Sequence, residues 1–341
     1  MKSVIFAATL VLAASPSYAG QTPQSSKKSA VPASGSTSDT SAAPATSGAA
    51  GSTVTVEAKP APKPAAVRPV VAPKDTMAFK RDSLGNLVPD VHAAAAIVYE
   101  PQTGRVIWEQ NSRDERSIAS LTKLMTTVTF VAAEPDLSQR VTVTRADLRN
   151  ASTTYLRAGD VLSYGELLHL TLIASDNAAA RVLARTGSPG GTEAFVGRMN
   201  EMAAQLGLSN THYSDPSGLD PNDISCAYDI SRLITVAAAD ARLAPIMRTA
   251  QYDVHTTARM FTIHSTNHLL GTDVDVRAGK TGFIAKAGYC LATLLQIPQG
   301  NQVAVVVLGE TSSTTRFAEA RHLFNWVVSR AQGIIGTESS K

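Results

Sequence analysis

Ala119-Ser120-Leu121-Thr122-Lys123-Leu124-Met125-Thr126 opens the first strongly helical stretch of this 341-residue chain. Leu121, Leu124, Met125, Val128 and Val131 recur at helical spacing, which gives the segment one continuous apolar face. Upstream, His92 to Tyr99 is a run of small and β-branched residues. Pro101-Gln102-Thr103-Gly104 reads as a turn, and Arg105 to Glu109 resumes as a strand, so a hairpin is predicted there. Downstream, Ser163-x-x-Glu166 is a capping box that opens an apolar helix over Leu167 to Ile173. Further helices are predicted over 177–186, 192–206 and 228–239. After about residue 250 the pattern changes to strands, over 274–279, 287–296 and 302–309. A last amphipathic helix is predicted over 316–331, with Phe317, Leu323, Phe324 and Val327 on one face. Strands at both ends with helices between them predict one mixed α/β domain whose sheet draws strands from both termini.

The flanks are of a different kind. Lys2, the apolar run Val4 to Ala14 and the small-residue site Ser17-Tyr18-Ala19 form a signal-peptide pattern over 1–19, with Gly20 as the new N-terminus. Residues 20–78 are a linker rich in Ser, Ala, Pro and Lys. Up to about residue 75 it holds no aromatic residue, so it cannot bury enough apolar surface to offset chain entropy. The domain is expected over 79–335, followed by a short tail at 336–341. Residues 1–74 hold seven Lys/Arg and two Asp/Glu, so the excess positive charge lies in this arm and the remainder is slightly acidic. No basic patch asks for nucleic acid. No later stretch is long and apolar enough to span a bilayer, so no stable membrane anchor is expected. The pattern implies an exported, periplasmic protein. Cys226 and Cys290 allow one disulfide or two free buried thiols.

Three short motifs carry chemistry. Ser120 and Lys123 are three apart on a helix and share a face, so a hydroxyl and an amine can touch. A serine hydroxyl becomes a good nucleophile when a neighbour accepts its proton, and a lysine does that only when neutral. Holding lysine neutral at pH 7 costs about 4–5 kcal/mol against its ordinary pKa, and burial with a nearby second cation, Lys280 being the candidate, would supply the shift. In Ser175-Asp176-Asn177 a hydroxyl and an amide come from alternate positions of a break between helices. In Lys280-Thr281-Gly282, strand twist must bring ammonium and hydroxyl toward one cleft, and Gly282 would let a substrate strand approach the backbone. Each motif alone also fits a plain structural role. Ser120 is a natural helix N-cap, as are Ser175 and Asn177, and a second Ser-x-x-Lys lies in the linker at Ser25 and Lys28. The set, in this order and in these contexts, is what points to catalysis.

With the flanking residues Ile173-Ala174-Ser175-Asp176-Asn177 and Ala278-Gly279-Lys280-Thr281-Gly282-Phe283, these motifs resemble those of the low-molecular-weight penicillin-binding proteins. These are the serine D-alanyl-D-alanine carboxypeptidases and endopeptidases. Asp215-Pro216-Ser217-Gly218-Leu219 and Asn267-His268-Leu269 resemble further family features, and the match covers about residues 90–330. The resemblance implies a β-lactamase/transpeptidase-like fold, with a central mostly antiparallel sheet, flanking helices and a helical subdomain. It implies that Ser120 attacks a D-alanyl carbonyl of a peptidoglycan stem peptide and that Lys123 is the general base. Ser175 and Asn177 would relay a proton and position the substrate. Lys280 and Thr281 would hold its carboxylate, beside Gly282, and the N–H groups of Ser120 and Phe283 would form the oxyanion hole. β-Lactam antibiotics would acylate Ser120. No metal and no cofactor is implied. Ser188-Pro189-Gly190-Gly191, Asn267 to Leu270 and the short C-terminal end look most like the compact endopeptidase branch. Cys226 and Ile284 depart from the family pattern, where Thr is usual at both places.

Other classes leave specific marks. A class A β-lactamase would carry a deacylating Glu in an E-x-x-L-N loop after the second motif, and none lies between Asn177 and Lys280. His264 and His268 are four apart without H-E-x-x-H, so they are read as structural rather than as zinc ligands. A Ser-His-Asp hydrolase would show a G-x-S-x-G elbow, which is missing. A non-catalytic penicillin-sensing or wall-binding protein on the same fold stays open at this stage.

Overall fold

The computed structural model describes residues 78–298 and 300–338. The leader, nearly all of the linker and residues 339–341 lie outside the described residues. Strands β1 (Phe79–Arg81) and β2 (Leu87–Pro89) pair as a hairpin, and β3 (Ala95–Glu100) and β4 (Arg105–Gln110) form the predicted one. β5 (Arg116–Ser117) leads into a 3-10 turn over Ala119–Leu121 and then helix α1 (Thr122–Val131). Next come β6 (Arg140–Thr142), α2 (Arg145–Leu148), β7 (Val161–Ser163), α3 (Tyr164–Leu172), α4 (Asn177–Thr186) and α5 (Gly191–Gln205). After them follow β8 (Ile224–Ser225), α6 (Ala227–Ala239), α7 (Leu243–Met247) and the hairpin β9 (Gln251–His255) and β10 (Met260–His264). The chain closes with β11 (Asp275–Ile284), β12 (Gly288–Gln296), β13 (Gln302–Glu310) and α8 (Ser313–Glu338).

The central sheet has the order β11-β12-β13-β3-β4 and every neighbouring pair is antiparallel. The N-terminal hairpin joins the C-terminal strands where Val98 lies opposite Val305, so the sheet is built from both termini as predicted. Successive strand residues face opposite sides. Ala95, Ile97 and Tyr99 enter the core shared with the helical half, while Ala96 and Val98 enter a second core under α8. Being covered on both faces explains why β3 reads as an unbroken apolar run rather than an alternating one. On α8, Phe317, Leu323, Phe324 and Val327 are all buried in that second core, each stabilising the fold by about 1.5–3 kcal/mol.

Local signals set several boundaries. Ser163 Oγ accepts from Glu166 N at 3.2 Å and Glu166 Oε2 accepts from Ser163 N at 2.8 Å, which is the predicted capping box, and α3 starts directly after the cap residue Ser163, at Tyr164 rather than at Leu167. Helix α8 begins three residues earlier than predicted, because Ser312 Oγ caps Thr315 N at 3.1 Å. The predicted strand 274–279 continues to Ile284. Gly279 and Gly282 weaken the strand pattern in the sequence, but pairing with β12 carries the strand through them. The β9–β10 hairpin has no counterpart in the sequence reading, although Tyr252 and Val254, and Phe261 and Ile263, alternate with polar residues and turn toward the core.

Cys226 and Cys290 are both free and buried, and burial pushes both thiols up to about 11. Cys226 acts as the N-cap of α6: its Sγ accepts from Asp229 N at 3.4 Å. His264 and His268 are exposed, and His268 stacks on Phe317 at 5.0 Å between centroids. Among the described residues no group of side chains is arranged to hold a metal.

Candidate active site

The three motifs converge on one cleft of about 460 Å³, lined by Ser120, Ser175, Asn177, Thr281, Gly282 and Phe283 among others. Lys123 and Lys280 lie just beneath this surface, both buried. Ser120 does not cap α1. It is the middle residue of the 3-10 turn, the N-cap position belongs to Leu121, and no side chain bonds there. The hydroxyl is thereby left for Lys123, whose Nζ lies 2.9 Å from Ser120 Oγ. The same Nζ donates to Asn177 Oδ1 at 2.7 Å and to the Ser217 carbonyl at 2.5 Å.

Burial is the main influence on Lys123 and pulls its pKa from the ordinary lysine value down to about 7. The carboxylates of Asp215, Asp176 and Asp223 work against this, and Arg181 adds a smaller downward push. Arg181 is therefore one cation acting on Lys123, and mutual repulsion with Lys280 couples the two buried lysines. Lys280 is itself held well below the usual lysine range, first by burial and then by the charges of Lys123 and Arg316. Its Nζ donates to Ser175 Oγ at 2.7 Å and to the Thr281 carbonyl at 2.7 Å. Thr281 Oγ1 shares a hydrogen bond of 2.6 Å with Thr266 Oγ1. Phe283 is half exposed and stacks on Tyr289 at 4.2 Å.

The middle residue of the second motif is the helix cap. Asp176, which the sequence reading passed over, accepts from Ala179 N at 2.9 Å and opens α4. It also accepts from Tyr155 N at 2.7 Å and from Thr154 Oγ1 at 3.0 Å. Asn177 Nδ2 donates to the Ala151 carbonyl at 2.7 Å. Asp176 and Asn177 therefore tie down the loop whose Ser152 and Thr153 line the cleft. Ser175, at φ +59°, is left free to aim its hydroxyl at Lys280.

A second clamp holds the nucleophile turn from the other side. Asp215 accepts from Ser217 N, from Gly218 N at 2.9 Å and from Asp220 N at 2.6 Å. Burial works to raise Asp215, yet these bonds outweigh it and leave the carboxyl below its ordinary value. Asp223 accepts from Ser214 N at 2.6 Å and from Thr122 Oγ1 at 3.1 Å, and burial beside Asp215 pushes it up to about 7. This loop presents the Ser217 carbonyl to Lys123. Gly218, at φ +78°, presses against Ala119, where a β-carbon would lie 2.1 Å from the Ala119 carbonyl oxygen. Gly218→Ala is therefore expected to cost about 2–3 kcal/mol, some 4–10 °C in thermal midpoint for a domain of this size. An unchanged midpoint in thermal unfolding would show that the turn does not need this approach.

Gly282 has a related role, and its reason differs from the sequence expectation. A β-carbon there would meet the Ile118 carbonyl at 2.9 Å and Ser120 N at 3.1 Å. The backbone that Gly282 admits is the chain's own nucleophile turn, which brings Ser120 N close to strand β11. Arg316, at the start of α8, also lines the cleft and was missed in the sequence. Its Nη1 donates to the Gly282 carbonyl at 3.1 Å and to the Cys290 carbonyl at 3.3 Å. Nothing local marks it, because its partners lie 34 and 26 residues away.

A hydroxyl beside an amine of lowered pKa, further hydroxyl and amide groups on the facing wall, and the buried Lys280 and Arg316 beyond them make an arrangement suited to acyl transfer. Comparison with known proteins agrees in kind. Residues 83–312 match the D-alanyl-D-alanine carboxypeptidase family. The D-alanyl-D-alanine endopeptidase of Pseudomonas aeruginosa is 31% identical over 246 residues, which cover 71% of this chain and 79% of that one. The Escherichia coli protein of the same name is 31% identical over 245 residues, covering 70% and 78%. The crystal structure of the Streptomyces K15 DD-transpeptidase superposes with a TM-score of 0.67 at 27% identity, covering 70% of this chain and 97% of that one.

Proposed function

Because this chain belongs to the D-alanyl-D-alanine carboxypeptidase family, we propose that it hydrolyses D-alanyl peptide bonds of peptidoglycan stem peptides through an acyl-enzyme on Ser120. The observation that carries this reading is Lys123: a buried amine with a pKa near 7, 2.9 Å from the Ser120 hydroxyl. At neutral pH a large fraction of that amine is unprotonated and able to take the serine proton.

The steps follow from the placement of the side chains. The substrate carboxylate meets Lys280 and Thr281 on β11, with the Arg316 charge behind them. An arriving carboxylate favours the charged form of Lys280 and offsets the burial that depresses it. Ser120 Oγ gives its proton to Lys123 Nζ and attacks the D-alanyl carbonyl. The oxyanion forms between the N–H groups of Ser120 and Phe283, an interaction worth about 3–4 kcal/mol per donor in comparable sites. Lys123 then gives up that proton and Ser175, bridged to Lys280, relays it to the departing amine, so that Lys123 is neutral again and Ser175 keeps its hydroxyl. Water then attacks the acyl-enzyme with Lys123 again accepting a proton, and the serine is restored. Asn177 orients Lys123 and the substrate backbone. A β-lactam carries a strained amide into the same position and leaves Ser120 acylated.

Relatives named D-alanyl-D-alanine endopeptidase support the branch that cuts cross-links. With purified protein, cross-linked muropeptide dimers are expected to become monomers faster than uncross-linked pentapeptides release free D-alanine. Release of D-alanine with dimers left intact would assign the carboxypeptidase activity instead. The leader pattern over 1–19 supports work in the periplasm, where this substrate is found. Among the described residues no helix is long and apolar enough to cross a membrane.

A further inference from the structure

The catalytic cleft is not the largest among the described residues. A cleft of about 630 Å³ opens between strand β4, the β1–β2 hairpin, the β12–β13 turn and helix α8. Strand β4 forms the edge of the sheet opposite β11, four strand spacings or roughly 19 Å from it. The chain contains two tryptophans, Trp108 and Trp326, and both line this cleft. Around them stand Glu100, Arg105, Asn301 and Arg330.

We propose that this cleft is a saccharide-binding site that takes the glycan of the wall polymer, separate from the cleft at Ser120. Trp326 is itself buried, and the indole face of the partly exposed Trp108, being large, flat and rigid, suits the C–H face of a sugar ring. The Arg330 guanidinium, 5.0 Å from the Trp326 ring centroid, adds a planar donor beside the ring. The polar groups are fixed in advance. The Glu100 side chain is 6% exposed, accepts from Asn301 Nδ2 at 3.1 Å and pairs with Arg105 at 3.4 Å. Charge decides the ligand class. Asp82 and Glu100 offset Arg105 and Arg330, so the lining selects neither an anion nor a cation. A purely apolar ligand would desolvate the remaining N–H donors of Arg105 and Asn301, which Glu100 alone does not satisfy. A neutral ligand rich in hydroxyl and amide groups satisfies both parts of the lining. The choice of wall glycan among such ligands rests on the substrate reading above. A stem peptide is covalently attached to that glycan, so binding sugar at one edge raises its effective concentration at the other.

Because both tryptophans line the cleft, intrinsic fluorescence reads the site directly. Titration of the full chain with β-1,4-linked N-acetylglucosamine tetramer, a glycan free of stem peptide, is expected to give a saturable change. Asn301→Ala and Arg105→Ala, both at exposed side chains, are each expected to weaken binding by about 5–10-fold. Penicillin labelling of Ser120, read on the same samples, is expected to stay unchanged. A tetramer titration without saturable change overturns the proposal, as does unaltered affinity in both variants. A change produced equally by a synthetic peptide of residues 20–77 also overturns it and would assign the cleft to the chain's own segment. Loss of labelling with sugar binding intact would instead count against the Ser120 reading alone.

Discussion

Ser120→Ala is expected to abolish covalent labelling by penicillin and to lower D-alanyl peptide turnover by about 10⁴- to 10⁶-fold. The size of the effect follows from the chemistry. Without Oγ no acyl-enzyme forms, and only transition-state binding by the rest of the cleft remains. The fold should tolerate the change. The Ser120 side chain makes one hydrogen bond, to Lys123, and takes no part in capping α1. Thermal unfolding of the variant should therefore stay close to wild type, which separates lost chemistry from lost structure. Mass spectrometry of the labelled protein is the measurement. An adduct that persists in the alanine variant would move the nucleophile elsewhere, Ser175 being another hydroxyl that lines the cleft.

Lys123→Met is expected to slow acylation by about 10²- to 10⁴-fold while keeping the apolar stem in place. A pH profile distinguishes a base from a packing residue. Lys123 works only when neutral, and burial sets its pKa to about 7. The wild-type acylation rate should therefore rise about tenfold per pH unit below 7 and level off above it. Arg181→Gln removes a cation that lowers Lys123, so the rising limb should move to higher pH. In Lys123→Met the limb should vanish. A profile that persists unchanged in Lys123→Met would assign the titration to another group. Stability carries the same signature with a definite sign. Between about pH 7 and the ordinary lysine pKa the unfolded chain binds a proton that folded Lys123 does not, so stability should rise with pH across that window. Lys123→Met should remove this slope.

Much of the site was legible because its elements are local. Ser120 and Lys123 are three apart, and a helix alone brings them together. Ser163 and Glu166 make their capping box within one turn. The alternation of Ala95 to Tyr99 between two cores rests on strand periodicity alone. What escaped reading had partners far away in the chain. Asp176 was given no role in the sequence, and its bonds to Thr154 and Tyr155 show that it anchors the loop beside the cleft. Arg316 looked like the first residue of an amphipathic helix, and it reaches the carbonyl of Gly282. Gly282 looked like room for substrate, and the room is taken by the turn of Ser120.

The sequence by itself determined the order of the main strands and helices, the β9–β10 hairpin apart, together with the pairing of Ser120 with Lys123 and the three motifs that make the cleft. These follow from periodicity and from contacts within a few residues, which the chain carries wherever it goes. Only the tertiary structure decided the lowered pKa of Lys123, on which its proposed role as a base rests. Its Nζ is held by Asn177 and Ser217, 54 and 94 residues away, in a space from which water is excluded. The same lysine on an exposed helix keeps its proton at neutral pH. Desolvation belongs to the folded surroundings rather than to the residue, and no local spacing encodes it.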